Sequence, residues 1–409
     1  MGDFNYCPLC KYPSFNKIMS FGDIPLVNSL NDTQNKYPLN LYFCPNCGLV
    51  FINTPKTPID IFSNYSYFSS WSSTWVAHCR RLFWKLAEGN LIHKDSFIVE
   101  IASNDGYMLR NFKENGYKDV LGIEPAENVA ASAIKGGIPT IADFFTQELA
   151  DRLSETKKAD CIIALNVLAH VPDIMKFMSG IKTLLSNDGF SMLEFHHLLS
   201  LVEKKQFDTI YHEHFSYLSL YTVEYVINQI GLRVFRVEKI PTQGGSLRIY
   251  LSHRNDSAIK KYPIEQSVEN LRQEEYSKKL KTLGKYDDFA SNAYENIDSS
   301  RDFILDLIDS GKSVAGYGAA AKAVIFINVL GLDEKQISCV ADINPVKQDS
   351  NIPGTEIPVV SPAELIESAP DYVLIFPWNL KDEISSVLRD KLPGGTRFIV
   401  FTPGPEIFE

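Results

Sequence analysis

No run of about 18 apolar residues occurs in the chain, so no helix is expected to cross a membrane. Basic charge is short as well. Lys and Arg number 40 against 50 Asp and Glu, a net charge of −10, which leaves no global footprint for nucleic acid. The segment Met1–Cys7 lacks the basic and apolar regions of a secretory signal, and the chain reads as cytoplasmic. The G-x-G-x-x-G fingerprint, which lets a pyrophosphate approach the backbone, is missing after both strand-like segments where it would fall. Cysteine is sparse, at seven residues in 409. Three of them, Cys79, Cys161 and Cys339, stand in apolar surroundings and read as core.

The other four form two pairs, Cys7-Pro-Leu-Cys10 and Cys44-Pro-Asn-Cys47, separated by residues 11–43. In a reducing compartment such pairs read as metal ligands rather than disulfides. Four thiolates can close a tetrahedral cage, the geometry of structural zinc with no open position for chemistry. Few apolar residues are evident around them, so metal is expected to supply much of the folding energy. Residues 1–60 are thus predicted to be a zinc-binding domain. The following stretch, Ile61–Trp75, is rich in aromatics and serines, and Tyr65, Tyr67, Phe68 and Trp71 are candidates to line a pocket or to pack a connector. Thr74–Leu86 has helical spacing.

Residues 61–255 carry a new periodicity. Phe97–Ile101 reads as a buried strand, Ala102–Gly106 as a tight loop and Tyr107–Phe112 as the opening of a helix. Val120–Glu124 is a second strand ending in an acid, where a carboxylate reaches ribose hydroxyls. Asp160–Leu165 and Gly189–Phe195 continue the sheet. Leu232–Lys239 and Ser246–Leu251 read as a closing hairpin through Thr242–Gly245. The loop Ala-Ser-Asn-Asp-Gly holds one glycine and signals no room for a pyrophosphate. S-adenosylmethionine, which has no phosphate, fits it better. The candidate cofactor residues are Glu100, Ala102, Ser103, Asn104, Gly106, Glu124, Asp143, Phe144 and Asn166.

Shortly after the fifth strand comes the densest chemistry, Phe207–Tyr217, with Asp208, Tyr211, His212, Glu213, His214 and Tyr217 in a short stretch. Imidazole is suited to take a proton near neutrality, and a phenol can donate to a developing oxyanion. Position alone does not choose between His212 and His214. Leu220–Ile230 follows as a helix stopped by Gly231.

Ala258–Ile308 is charged and helical, with an apolar stripe through Phe289, Ala293, Ile297, Ile304 and Ile308 and a turn expected at Gly284. Residues 256–409 are predicted to be a second, C-terminal Rossmann-like domain, in which Ser313–Ala323 reads as strand, glycine turn and helix, repeating the earlier pattern. Ala319, Ala320 and Lys322 suit an anion at a helix N-terminus. Asp342, Lys347 and Trp378 are further candidate contacts to a nucleotide. The whole is an α/β chain: an N-terminal zinc-binding ribbon, a central class I (Rossmann-like) methyltransferase domain and a second Rossmann-like domain.

The double C-P-x-C ribbon, Y-S-Y-F-S-S, E-I-A-S-N-D-G, Y-H-E-H-F-S-Y, G-G-S-L-R and G-Y-G-A-A-A-K occur in one order along nearly the whole chain. In this the chain resembles the sugar C-methyltransferases of 4-keto deoxysugar nucleotides, the group of the tetronitrose- and mycarose-type branched sugars. The resemblance implies methyl transfer to carbon 3, beside the ketone, with the C-terminal domain helping to hold the nucleotide sugar. It also implies His214 as base, Tyr211, Glu213 and Tyr65 lining the site, and His170 nearby. Ala102 departs from the glycine of many methyltransferases, and Gln243 stands where a histidine is expected. A monomer is expected. O-methylation, and NAD-dependent oxidation or epimerisation at Gly316–Gly318, are the alternatives.

Overall fold

The computed structural model describes residues 5–30, 34–53, 57–62 and 68–408. Between the two cysteine pairs the chain forms strands Asn16–Pro25 and Lys36–Phe43, followed by Val50–Ile52, all antiparallel. A fourth strand, Ser216–Tyr217, joins this sheet from the far side of the sequence, pairing with Val50 and Phe51. The reactive stretch is thereby anchored to the N-terminal sheet. Contrary to the sequence reading, this region has substantial apolar burial. Ile18, Met19, Ile24, Leu39, Leu41 and Phe43 are buried in a cluster shared with Tyr286, Phe289 and Phe326 of the C-terminal part. Each large apolar side chain so buried contributes about 1.5–3 kcal/mol. The alternation was hidden because its partner face lies hundreds of residues away.

The central sheet has seven strands. Their spatial order is Leu232–Ile240, Ser246–His253, Leu185–His196, Ala159–Leu165, Ile98–Ile101, Val120–Ile123 and Thr140–Ile141. Ser246–His253 runs antiparallel to both neighbours, and the remaining pairs are parallel. Helices cover both faces, as a buried parallel sheet requires. Their ends follow local rules: Ser219 Oγ accepts the Thr222 amide at 3.2 Å, and Gly231 closes Leu220–Ile230 in the left-handed conformation at φ 78°. Gly106, at φ 79°, has a second constraint, since a Cβ there would lie 2.7 Å from Ile138.

Helices Asp256–Lys261 and Gln266–Ser277 pack on this sheet, and Leu283–Asp309 crosses to the N-terminal strands and to Ala321–Leu330. Gly284 lies inside that long helix and not at a turn. The chain reverses earlier, where Lys279 takes φ 58°. The C-terminal sheet also has seven strands, five parallel in the middle and an antiparallel strand on each edge. No helix among the described residues is long and apolar enough to cross a membrane.

Candidate active site

Segments following the carboxyl ends of both Rossmann-like sheets open onto one cleft of about 980 Å³. From the central sheet come Ala102 and Asn104, Glu124, Phe144, Asn166, His170 and His196. From the C-terminal sheet come Ala320–Lys322, Lys347 and Pro377. Ligands of open α/β sheets bind at this end of the strands.

At one end of the cleft, the loop after Ile98–Ile101 is held in a strained form. Ala102 and Asn104 take φ 53° and 49°, and Asn166, after the neighbouring strand, takes 56°. The methyl of Ala102 thus occupies a left-handed position that glycine fills without steric cost. Glu124 fixes the loop from the next strand. Its carboxylate accepts from the amides of Asn104 and Ala126, both at 2.9 Å, and burial raises its pKa. Asn104 Oδ1 in turn accepts the Ser69 amide at 2.8 Å. Glu100 is fully buried behind the loop, and neither of its carboxylate oxygens has a hydrogen-bond partner among the described residues. Burial and the acids Glu124 and Asp105 push its pKa well up. Ser103 Oγ and one oxygen of Asp105 are likewise buried without a partner among the described residues. Glu100, Ser103, Asp105 and Gly106 do not line the cleft, so of the loop and its clamp it is Ala102, Asn104 and Glu124 that are open to a ligand. Asp143 stands exposed outside the cleft lining, its Oδ1 accepting the Phe144 amide, while Phe144 itself faces in.

Of the stretch 207–217, Thr209, Tyr211, Glu213 and His214 line the cleft. His214 Nδ1 lies 3.0 Å from the Thr209 carbonyl, which only accepts, so Nδ1 carries the proton of a neutral ring. Nε2 then accepts from the Tyr211 hydroxyl at 2.9 Å. Burial, followed by His170, holds the His214 pKa well below the usual range, so the ring is neutral at pH 7. The His170 ring lies tilted against it, 4.8 Å between centroids, and donates from Nδ1 to the Glu213 carbonyl at 2.8 Å, and burial lowers its pKa to about 4. Burial raises the Glu213 carboxyl to about 7, and Asn28 Nδ2 donates to its Oε1 at 2.5 Å. His212 is turned the other way, fully buried against Tyr37 with Nε2 at 3.3 Å from the Pro38 carbonyl. His214, not His212, therefore faces the cleft. Tyr65 and Tyr67 lie outside the described residues. Phe68 stacks on Trp71 at 4.9 Å.

On the C-terminal side, Ala320, Lys322 and Lys347 line the cleft. Lys347 Nζ donates to the Ala319 carbonyl at 2.6 Å and stands 3.7 Å from Asp342. Ala319 and Asp342 are buried and do not reach the cleft, and Asp342 Oδ1 accepts the Asn344 amide. Trp378 also lies outside the lining: its indole N–H donates to buried Asp208 at 2.7 Å. Lys322 Nζ sits 5.2 Å from that indole ring, and its pKa is lowered by burial.

Sequence reasoning missed a buried network at the rim. His78, Arg248 and Thr242 all bond to Glu194, at 3.0, 2.9 and 3.2 Å. It also missed the bond from His196 to Gln206 at 2.7 Å and the one from Asn28 to Glu213. Adjacent His196-His197 at a strand end was the available signal. The other partners are dispersed and leave none.

Outside the cleft lining, the sulfurs of Cys7, Cys10, Cys44 and Cys47 all lie within 4.8 Å of one another. Cys7–Cys47 and Cys10–Cys44 are 3.6 and 3.5 Å apart. The edge of a tetrahedron with Zn–S bonds of 2.3 Å is about 3.8 Å, so the four thiolates fit zinc. Lys11 and Gly48, each directly after a pair, both take left-handed φ, at 58° and 71°.

The fold and cleft define an S-adenosylmethionine-dependent methyltransferase carrying a structural zinc site. Three family models match in sequence order: "Putative zinc binding domain" over residues 7–62, "Methyltransferase domain" over 78–237 and "C-methyltransferase C-terminal domain" over 241–403. The C-methyltransferase NovU of Streptomyces niveus is 31% identical over 408 residues, 98% of this chain and 96% of that one. The chain belongs to this C-methyltransferase family. Likeness to solved structures is partial. The magnesium protoporphyrin IX methyltransferase of Synechocystis PCC 6803 with bound SAM is 15% identical, covering 44% of this chain and 81% of its own, at TM-score 0.33. A SAM-dependent methyltransferase from Anabaena variabilis is 16% identical, covering 43% and 84%, at TM-score 0.34.

Proposed function

We propose that the enzyme methylates carbon 3 of a 4-keto-6-deoxy sugar linked to a nucleoside diphosphate, through a base-generated enolate, in branched deoxysugar biosynthesis. The observation that carries this reading is the neutral His214, whose bond to the Thr209 carbonyl leaves Nε2 as the acceptor, paired with the Tyr211 hydroxyl at the cleft. A C–H beside a ketone is acidic only because its carbanion delocalises onto oxygen, so the reaction needs a base and an oxyanion donor together. Tyr211 supplies the second by turning its proton from Nε2 to the ketone oxygen, which uncovers the lone pair for the C–H. Glu213, with a carboxyl that titrates near neutrality, flanks the same space and is held by Asn28. S-adenosylmethionine, when bound, supplies an electrophilic methyl group. Asn104, Glu124 and Asn166 would hold it, with buried Glu100 behind them.

The diphosphate is read as lying at the N-terminus of helix Ala321–Leu330, beside Lys322 and Lys347. A sugar nucleotide held there would have its sugar in the cleft that His214 also lines. The test is incubation with a panel of 4-keto-6-deoxy nucleotide sugars and methyl-labelled S-adenosylmethionine. Label at a carbon beside the ketone is the expected result. Label on oxygen, or none with any member, would defeat the reading.

A further inference from the structure

The loop closing the hairpin of the central sheet is pinned from several directions. Thr242 Oγ1 donates to Glu194, and the Thr242 carbonyl accepts from the Gly245 amide and Ser246 Oγ, both at 2.9 Å. The Gly244 carbonyl accepts from Lys204 Nζ at 2.7 Å and Gln206 Nε2 at 2.9 Å. Gly244 is walled in by the C-terminal domain, since a Cβ there would lie 2.2 Å from Trp378. In the middle of this fixed loop Gln243 takes φ 53° and ψ 29°. A Cβ makes that conformation sterically unfavourable for an L residue. Such strain persists where its surroundings over-determine it, and it gathers at functional sites. The Gln243 side chain is exposed, lines the cleft and has no hydrogen-bond partner among the described residues. Gln206, which clamps the loop, also bonds His196, another cleft residue.

We infer that Gln243 is a specificity-determining residue whose carboxamide binds a hydroxyl of the acceptor sugar. This rests on the sugar-nucleotide reading above. A carboxamide both donates and accepts, as a sugar hydroxyl does, and a rigid mount makes the contact selective. The loop lies between the reactive stretch, through Gln206, and the C-terminal domain, through Trp378. Gln243 lines the same cleft as His214, Lys322 and Lys347, the residues assigned to the reacting sugar and its diphosphate.

The test is full-length Gln243→Gly, which removes the amide and also relieves the backbone. The measurements are kcat/KM with the best acceptor of the sugar panel, Kd for that acceptor's nucleoside diphosphate alone, Kd for S-adenosylhomocysteine, and the thermal midpoint. The expected result is kcat/KM down by at least about tenfold, both Kd values within about twofold and the midpoint unchanged or raised. Three results each overturn the inference. These are kcat/KM within about threefold of wild type, nucleoside diphosphate binding weakened in step, or a lowered midpoint, which would make Gln243 a structural residue. A wild-type enzyme inactive on the whole panel would remove the sugar reading and this inference with it, and that failure shows without any variant.

Discussion

At the scale of single residues, the site depends on which way a ring points, and hydrogen bonds decide that. His212 and His214 are indistinguishable by type and nearly so by position. The Pro38 carbonyl takes one and the Thr209 carbonyl the other, so only His214 reaches the cleft. These carbonyl partners come from backbone folding and leave no trace in residue identity. The paired hydroxyl of Tyr211, three residues away, was legible because the spacing is local. Replacing His214 by Asn is expected to leave both ligands bound while turnover falls by about 10²–10⁴, the usual share of a general base. Calorimetry for binding and labelled methyl transfer for rate would check it. Normal turnover in that variant, with loss in His212→Asn, would reverse the assignment. Ala102 gives a second case. Its φ of 53° is the reason a glycine is expected there. Ala102→Gly should therefore raise stability by up to about 1 kcal/mol, less what glycine's extra freedom costs the folded state, with activity kept. Denaturant unfolding would show a loss instead if the methyl made contacts worth more than the strain.

At the scale of elements, the sequence was most readable where a segment carries its own stop signals. Leu220–Ile230 has Ser219 before it and Gly231 after it, and the helix has those bounds. The strand at Ile98–Ile101, with its glycine turn, was legible for the same reason. The strands between the cysteine pairs were not, because their apolar faces meet helix residues such as Phe289 and Phe326, far along the chain. The hairpin loop Thr242–Gly245 sits between these cases. Its glycines announced a turn, but the need for them comes from Trp378 and Ser200, which approach within 2.2 and 2.6 Å of where a Cβ would be. Gly244→Ala is expected to cost stability by more than about 2 kcal/mol, because backbone strain and a clash with a fixed ring add. Thermal unfolding would test this, and an unchanged midpoint would mean that Trp378 moves away freely.

At the scale of the whole molecule, three regions that read as separate domains share buried surface. The zinc-bearing sheet takes its fourth strand from the reactive stretch and its core from the C-terminal helices. Removing the metal with a chelator should for that reason lower the thermal midpoint and also slow methyl transfer, since Ser216 and Tyr217 hold the loop that carries His214. The shared burial also places ionisable groups of opposite tendency in one cleft, and their effects on folding have opposite signs. Burial raises the Glu213 carboxyl from 4.5 to about 7. The folded protein therefore takes up that proton before the unfolded chain does as pH falls. This contribution to stability is full below about pH 4.5 and is lost as pH rises through about 7. His170 behaves oppositely. Its pKa falls from 6.5 to about 4, so the unfolded chain protonates first, and the contribution present above pH 6.5 is lost as pH falls toward 4. Between these limits, wild type should gain stability relative to Glu213→Gln as pH is lowered from 7 to 4.5, by an amount on the order of 3 kcal/mol. Relative to His170→Asn it should lose stability as pH is lowered from 6.5 to 4. Urea unfolding of the three proteins at half-unit steps of pH would measure both slopes. Parallel curves would show that neither group is buried as the cleft geometry requires, and two slopes of the same sign would assign the wrong proton to one of them.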